Sequence, residues 1–237
     1  MKILAVDTSA VAGSVAVVSD GKLLSECFSN TGLTHSQTLM PMVDNAVKSA
    51  GIDIKDIDIF AVNNGPGSFT GVRIGVAAVK GMAQMSEKNC VEVSTLESLA
   101  YNLADNNCIA VCAMDARCSQ VYTASFECEN SVVTRLCDDE AVAIKDLEER
   151  LKSYNKPIIF VGDGAMLCYN YYKDVLPCRI AGENLRYQRA SSTATVAMLK
   201  AEREETLSAA ELMPSYLRLP QAQRELKKKT DTKEILK

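Results

Sequence analysis

Residues 2–24 read KILAVDTSAVAGSVAVVSDGKLL. An apolar run ends at Asp7, small residues follow, and a second apolar run fills 14–18 before Asp20-Gly21. Apolar β-prone runs bounded by small-residue and Asp-Gly turns read as hairpin strands, with an aspartate at the first bend. Residues 108–133, CIAVCAMDARCSQVYTASFECENSVV, repeat the plan. There an apolar strand ends at Asp115, a polar turn follows, and a second strand occupies about 120–127. The segments share a pattern more than identities, as a duplicated unit would.

The first hairpin is followed by a helix over 35–50, the strand IDIFAVNN, a glycine-rich loop and a helix to about 86. A short strand, VEVS, and the helix TLESLAYNLAD complete that half. After the second hairpin come the helical AIKDLEERLKSY, the strand PIIFVGDGA and further helix. Strands alternating with helices indicate an α/β protein. Two such halves, each opened by a hairpin with an aspartate at its bend, predict a two-lobed actin/Hsp70-like (ASKHA, ribonuclease H-like) fold built from a duplicated α/β unit. The expected divisions are a first lobe over 1–103, a smaller second lobe over 104–189, and a C-terminal helix within 190–216 packing back on the first lobe. A basic tail follows at 217–237.

The chain has 237 residues and a net charge of −4. Its last twenty residues carry seven Lys/Arg against three Asp/Glu, so an acidic body of −8 bears a local +4. That balance excludes a whole-surface nucleic-acid binder, while the tail could reach RNA or an acidic partner. MKILAVDTSA is too short and too polar for a signal peptide or membrane span, so a cytoplasmic protein with no membrane partner is expected. Nine cysteines at irregular spacing and a single histidine lack the paired ligands of a zinc site. Reduced interior thiols are expected.

Residues 63–75, NNGPGSFTGVRIG, resemble a phosphate loop at first sight. Gly71 is followed by Val72-Arg73 in place of Lys-Ser/Thr, so the nucleotide P-loop fails. The dinucleotide fingerprint fails at Thr70, where its third glycine would stand. The helix that follows carries two small or apolar stripes, Gly71–Gly75–Ala78 and Ile74–Ala77–Gly81–Met85. A helix apolar nearly all round is buried on more than one side. Interior glycine costs about 1 kcal/mol relative to alanine, so several need a compensating reason, of which close approach of another helix is one. The preceding helix has Leu39, Val43 and Ala46 on one side and Met40 and Val47 on another. Either the pair meets a second subunit or both helices lie in one well-covered core.

Asp7, with Thr8 and Ser9, and Asp115 could orient magnesium or water at nucleotide phosphates in a two-lobed cleft, and Gly162 and Gly164 could pass an adenine closely. The first bend nevertheless lacks a lysine, and no general base stands out, so weak or vestigial nucleotide binding is the most this pattern supports. An ATPase or kinase using Asp7 and Asp115 is the alternative. Ser-His chemistry could rest only on His35 and Ser36, which makes a protease the weakest reading.

The stretches ILAVDTSAVAGSVAVV, HSQTLMPMVDNAVKSAG, AVNNGPGSFTGVRIGVAAVKGMA, AMDARCSQVY, VGDGA and PSYLR together resemble the TsaB (YeaZ) family. The resemblance implies a non-catalytic paralogue of TsaD, the transferase that makes N6-threonylcarbamoyladenosine in tRNA. It implies partnership with a TsaD-type catalytic subunit and a TsaE-type ATPase, a homodimer when TsaD is absent, and tRNA contact only through the complex. No cofactor is implied. TsaD's metal histidines come as His-x-x-x-His, whereas His35 is followed by Leu39. The family's interface uses its first two helices, which here would supply His35, Leu39, Met42, Val43, Ala46, Val72, Gly75, Val76, Ala78, Val79 and Met82. Cys118 and Ser119 after DAR depart from the more polar family pattern, as does the lysine-rich tail.

Overall fold

The computed structural model describes residues 1–218. The basic tail beyond Arg218 lies outside them.

The chain forms two lobes with the same strand plan. In the first, β1 (Lys2–Asp7), β2 (Gly13–Ser19) and β3 (Lys22–Ser29) make an antiparallel meander. β4 (Ile59–Gly65) and β5 (Asn89–Ser94) extend it in parallel beside β1, giving the order β3-β2-β1-β4-β5. In the second, β6 (Cys108–Asp115), β7 (Gln120–Glu129) and β8 (Val132–Arg135) repeat the meander, with β9 (Glu140–Ala143) also on β7. β10 (Ile158–Val161) and β11 (Cys178–Ile180) run parallel beside β6, in the order β11-β10-β6-β7-β8. The duplication expected from the two hairpins is thus present strand for strand. Asp7 ends β1 and Asp115 ends β6, each at the first bend of its lobe.

Helices cover both faces of each sheet. α1 (His35–Ser49) and α2 (Phe69–Ser86) lie on one face of the first sheet, their buried residues meeting Leu4, Val6, Val15, Val17 and Phe60. α7 (Ala190–Ala201) covers the opposite face against Ile3, Ala5 and Ala16. α3 (Thr95–Tyr101) covers one face of the second sheet through Leu96 and Leu99. α4 (Glu148–Lys152) and α5 (Ala165–Tyr172) cover the other around Phe160 and Tyr172, and α6 (Glu183–Arg186) leads back to α7. Strands covered on both faces read as continuous apolar runs, which is the pattern of β1, β4 and β6.

Local chemistry sets the helix ends. Ser68 caps α2 by accepting the Gly71 N–H at 3.2 Å, and Glu87 closes it in the left-handed region. Thr34 stands at the α1 N-cap without a side-chain cap bond. α7 ends at Ala201, well short of the end of the 190–216 stretch expected to hold it. After Ala201 the charged run turns at Glu204 (φ 62°), and Leu207 pairs with Cys90 on the edge of the first sheet. Among the described residues no helix is long and apolar enough to cross a membrane.

Candidate functional site

An open cleft of about 790 Å³ separates the lobes, with both hairpin bends facing it. Ser9, Ala10 and Val11 come from the first bend and Asp115, Ala116 and Arg117 from the second. The glycine loop, His35, Asp163 and the segment 215–218 complete the wall.

Only Ser9 and Asp115 of the six residues expected to serve a nucleotide line this cleft. Asp7 is fully buried. Its Oδ1 accepts the Ser9 N–H at 2.8 Å and the Ser9 hydroxyl at 2.6 Å, and its Oδ2 accepts from the Asn63 amide. Burial pushes the Asp7 carboxyl up, while the bonds from Ser9 and Asn63 oppose that rise. Thr8 points away from the cleft and donates to the Gly71 carbonyl at 2.8 Å. A Cβ on Gly162 would stand 2.2 Å from the Ala113 carbonyl oxygen, and one on Gly164 2.8 Å from the Met114 carbonyl carbon. Those glycines clear the end of β6. Asp115 spends its carboxylate on its own turn, accepting from Arg117 N–H at 2.7 Å and Arg117 Nη1 at 3.2 Å. The Asp7 carboxylate thus anchors the first bend through internal hydrogen bonds.

His35 Nε2 lies 2.6 Å from the Ala10 carbonyl oxygen, which ties the start of α1 to the first bend and engages that nitrogen away from any serine. Among the described residues no group of three or more His, Cys, Asp or Glu side chains is placed to hold a metal ion. Burial also pushes the thiols of Cys90, to about 11, and Cys168, to about 12, so these behave as core atoms.

The residues expected at an interface of the helix pair lie mostly inside the first lobe. Leu39, Val43, Ala46, Val72, Gly75, Val76, Val79 and Met82 are all buried within the chain's own first lobe. They form the inner face of α1 and α2. His35, Met42 and Ala78 are partly exposed. Nor do the first glycines of α2 clear another helix. A Cβ on Gly71 would stand 2.0 Å from the Thr8 carbonyl oxygen, and one on Gly75 2.4 Å from Thr8 Oγ1. Both let α2 sit against the first hairpin bend.

What remains outside is the other stripe. Ala77, Gly81 and Met85 are exposed, Met85 by 78 %, and Ile74 and Ala78 are partly so. Met40 on α1 is 50 % exposed, and Leu33 precedes that helix at 60 %. A Cβ on Gly81 would meet nothing within 4 Å. Because α1 and α2 share one face of the sheet, their outer sides make one surface with an apolar strip and a shallow place at Gly81. The i, i+3, i+4 spacing of Ile74, Ala77, Gly81 and Met85 was the sequence signal for it.

The family model TsaD, tRNA N6-adenosine threonylcarbamoyltransferase, matches residues 29–226. The Bacillus subtilis tRNA threonylcarbamoyladenosine biosynthesis protein TsaB is 31% identical over 224 residues, covering 94% of this chain and 96% of its own. The chain belongs to the TsaB family. Among solved structures, a Pseudomonas aeruginosa protein described as similar to the peptidase YeaZ superposes with TM-score 0.80 at 26% identity, covering 92% of this chain and 99% of its own. Component A of the Acidaminococcus fermentans (R)-2-hydroxyglutaryl-CoA dehydratase superposes with TM-score 0.51 at 10% identity, covering 85% and 99%. That likeness concerns the fold alone, and with the doubled β3-β2-β1-β4-β5 plan it places this TsaB-family chain in the actin-like class.

Proposed function

We propose that this chain serves in forming N6-threonylcarbamoyladenosine in tRNA as a non-catalytic subunit. It binds and activates a TsaD-type transferase through the outer face of α1 and α2, and acts together with a TsaE-type ATPase. A second copy occupies the same face when the transferase is absent. The observation that carries this reading is the outward strip Ile74–Ala77–Gly81–Met85 on α2, with Met40 also exposed on α1, an apolar surface on a lobe whose core is otherwise covered. The bends support it, because Asp7 is consumed by internal hydrogen bonds and Asp115 by its own turn.

The test substitutes Ala77→Glu and, separately, Met85→Glu, and measures association with the TsaD-type subunit of the same organism by calorimetry. Each places a charge in a contact that must lose its water, so affinity should fall about 100-fold or more while the melting temperature stays unchanged. Unchanged affinity in both variants overturns the interface. Turnover of ATP by the isolated chain that is lost in Asp115→Asn would overturn the non-catalytic reading.

A further inference from the structure

We propose that residues 213–218 form a strap that ties the two lobes together across the cleft and fixes the angle between them. The hydrophobic cores of the lobes are distinct except at Ala10 of the first bend, which packs into the second lobe's cluster, and the lobes also meet through their helices. There α3 of the second lobe meets α7 of the first: the Ser98 and Thr193 hydroxyls lie 3.0 Å apart, and Ser192 Oγ donates to Asn102 Oδ1 at 2.6 Å. Two bodies joined on one side of a cleft open and close about that side unless something spans the gap.

The strap is anchored firmly on the first lobe. Lys80 of α2 donates to the Ala210 and Leu212 carbonyls, each at 3.0 Å, and Leu212 is fully buried. Ser215 N–H then donates to the Asn64 carbonyl at 2.7 Å, and the Asn64 side-chain amide donates to the Met213 carbonyl at 3.2 Å. Gly65 (φ 129°) permits this approach, since a Cβ there would lie 2.3 Å from the Ser215 carbonyl oxygen. Tyr216 stacks on Phe69 with centroids 4.9 Å apart, and its hydroxyl accepts from Arg73 Nε at 2.7 Å.

From that anchor the strap crosses to the second lobe. Arg218 Nη1 donates to the Ala116 carbonyl at 2.9 Å, at the second hairpin bend. This bend holds three consecutive non-glycine residues in the left-handed region, Arg117, Cys118 and Ser119 at φ 65°, 54° and 55°. Such residues persist only where their surroundings hold them. Ser215, Tyr216, Leu217 and Arg218 all line the cleft, so this chain's own segment stands where a ligand bridging the lobes would stand. The inference is independent of the partner proposed above and is tested without one.

Spin labels on the exposed Cys118 and on Leu33→Cys report the inter-lobe distance in the full chain, with Cys27, Cys137 and Cys178 changed to serine. The parent should give one narrow distribution. Arg218→Ala removes the single hydrogen bond to Ala116, and it should make the distribution about twice as broad. Arg218→Lys, which can still donate to Ala116, should keep it narrow. Gly65→Ala displaces the strap at its anchor and should reproduce the broadening. If Arg218→Ala leaves the distribution as narrow as the parent's, the strap does not fix the lobes and the inference fails, whether or not Gly65→Ala folds.

Discussion

Gly71→Ala and Gly81→Ala are the same chemical change within one helix, and the structure gives them opposite signs. At Gly81 the new methyl meets nothing within 4 Å, and the position is exposed in the middle of α2. Only the backbone preference changes there, a gain of about 1 kcal/mol at most. At Gly71 the methyl would stand 2.0 Å from the Thr8 carbonyl oxygen, which belongs to backbone and cannot swing away. Relief requires the start of α2 to retreat from the hairpin bend. Two hydrogen bonds span that gap, Thr8 Oγ1 to the Gly71 carbonyl at 2.8 Å and Ser68 N–H to the Ser9 carbonyl at 2.7 Å. Losing them costs about 1 kcal/mol each, and residual overpacking about 1–3 kcal/mol more. The propensity gain offsets up to about 1 kcal/mol of this, so Gly71→Ala should lose about 2–4 kcal/mol. Urea unfolding followed by circular dichroism reads both, with slopes of about 2–3 kcal/mol/M for a chain this long. The midpoint should fall by about 1 M for Gly71→Ala and rise slightly for Gly81→Ala. A Gly71→Ala chain as stable as the parent would refute the claim that this glycine clears the bend.

Two further outcomes concern the carboxylates of Asp7 and Asp163. Asp7→Ala strands the Ser9 N–H, the Ser9 hydroxyl and the Asn63 amide without their acceptor, so stability should drop by about 2–4 kcal/mol. A melting temperature within about 1 °C of the parent would contradict the anchoring role. For Asp163, burial pushes the carboxyl up from the ordinary 3.8 to about 6, and its Oδ1 has no hydrogen-bond partner. Between those values the folded chain holds a proton that the unfolded chain has lost, so parent stability falls as pH rises from about 4 to about 6 and is flat above. Asp163→Asn should therefore gain about 1–3 kcal/mol over the parent at pH 8 and nothing below pH 4. Denaturant titrations at the two pH values decide it, and an equal difference at both would sink the assignment.

The fold was legible because its signals are local. An apolar run stopped by Asp7 or Asp115 and resumed after small or polar residues specifies a hairpin without reference to the rest of the chain. Strand order then follows from repeating the unit. The outer face of α1 and α2 was only half legible, since periodicity says which residues share a stripe but not which stripe faces the sheet. Both stripes of α2 are small or apolar, and the one with Gly71 and Gly75 was the more suggestive of a partner. Those glycines sit in the first two turns, next to the loop that feeds them, and clear a bend of the same lobe. The strap was not legible at all. Ser215 and Asn64 lie about 150 residues apart in the chain, and no pattern in PSYLR announces that its neighbour is the end of β4.

Asp7 and Asp115 mark the limit of what a motif can carry. An aspartate ending the first strand of each lobe satisfies two designs equally well, one that aims the carboxylate into the cleft and one that folds it back to hold the turn. What separates them is the neighbour on the adjoining strand. Asn63 on β4 reaches Asp7 from the side, and Ser9 closes on it from the turn with both its N–H and its hydroxyl. Three donors on one carboxylate leave no incentive to face solvent, and full burial follows. At the second bend no strand neighbour plays the part of Asn63, so Asp115 stays partly exposed and holds Arg117 alone. The two bends thus differ in chemistry while matching in topology. It is at the weaker one, beside Asp115, that Arg218 reaches across from the first lobe.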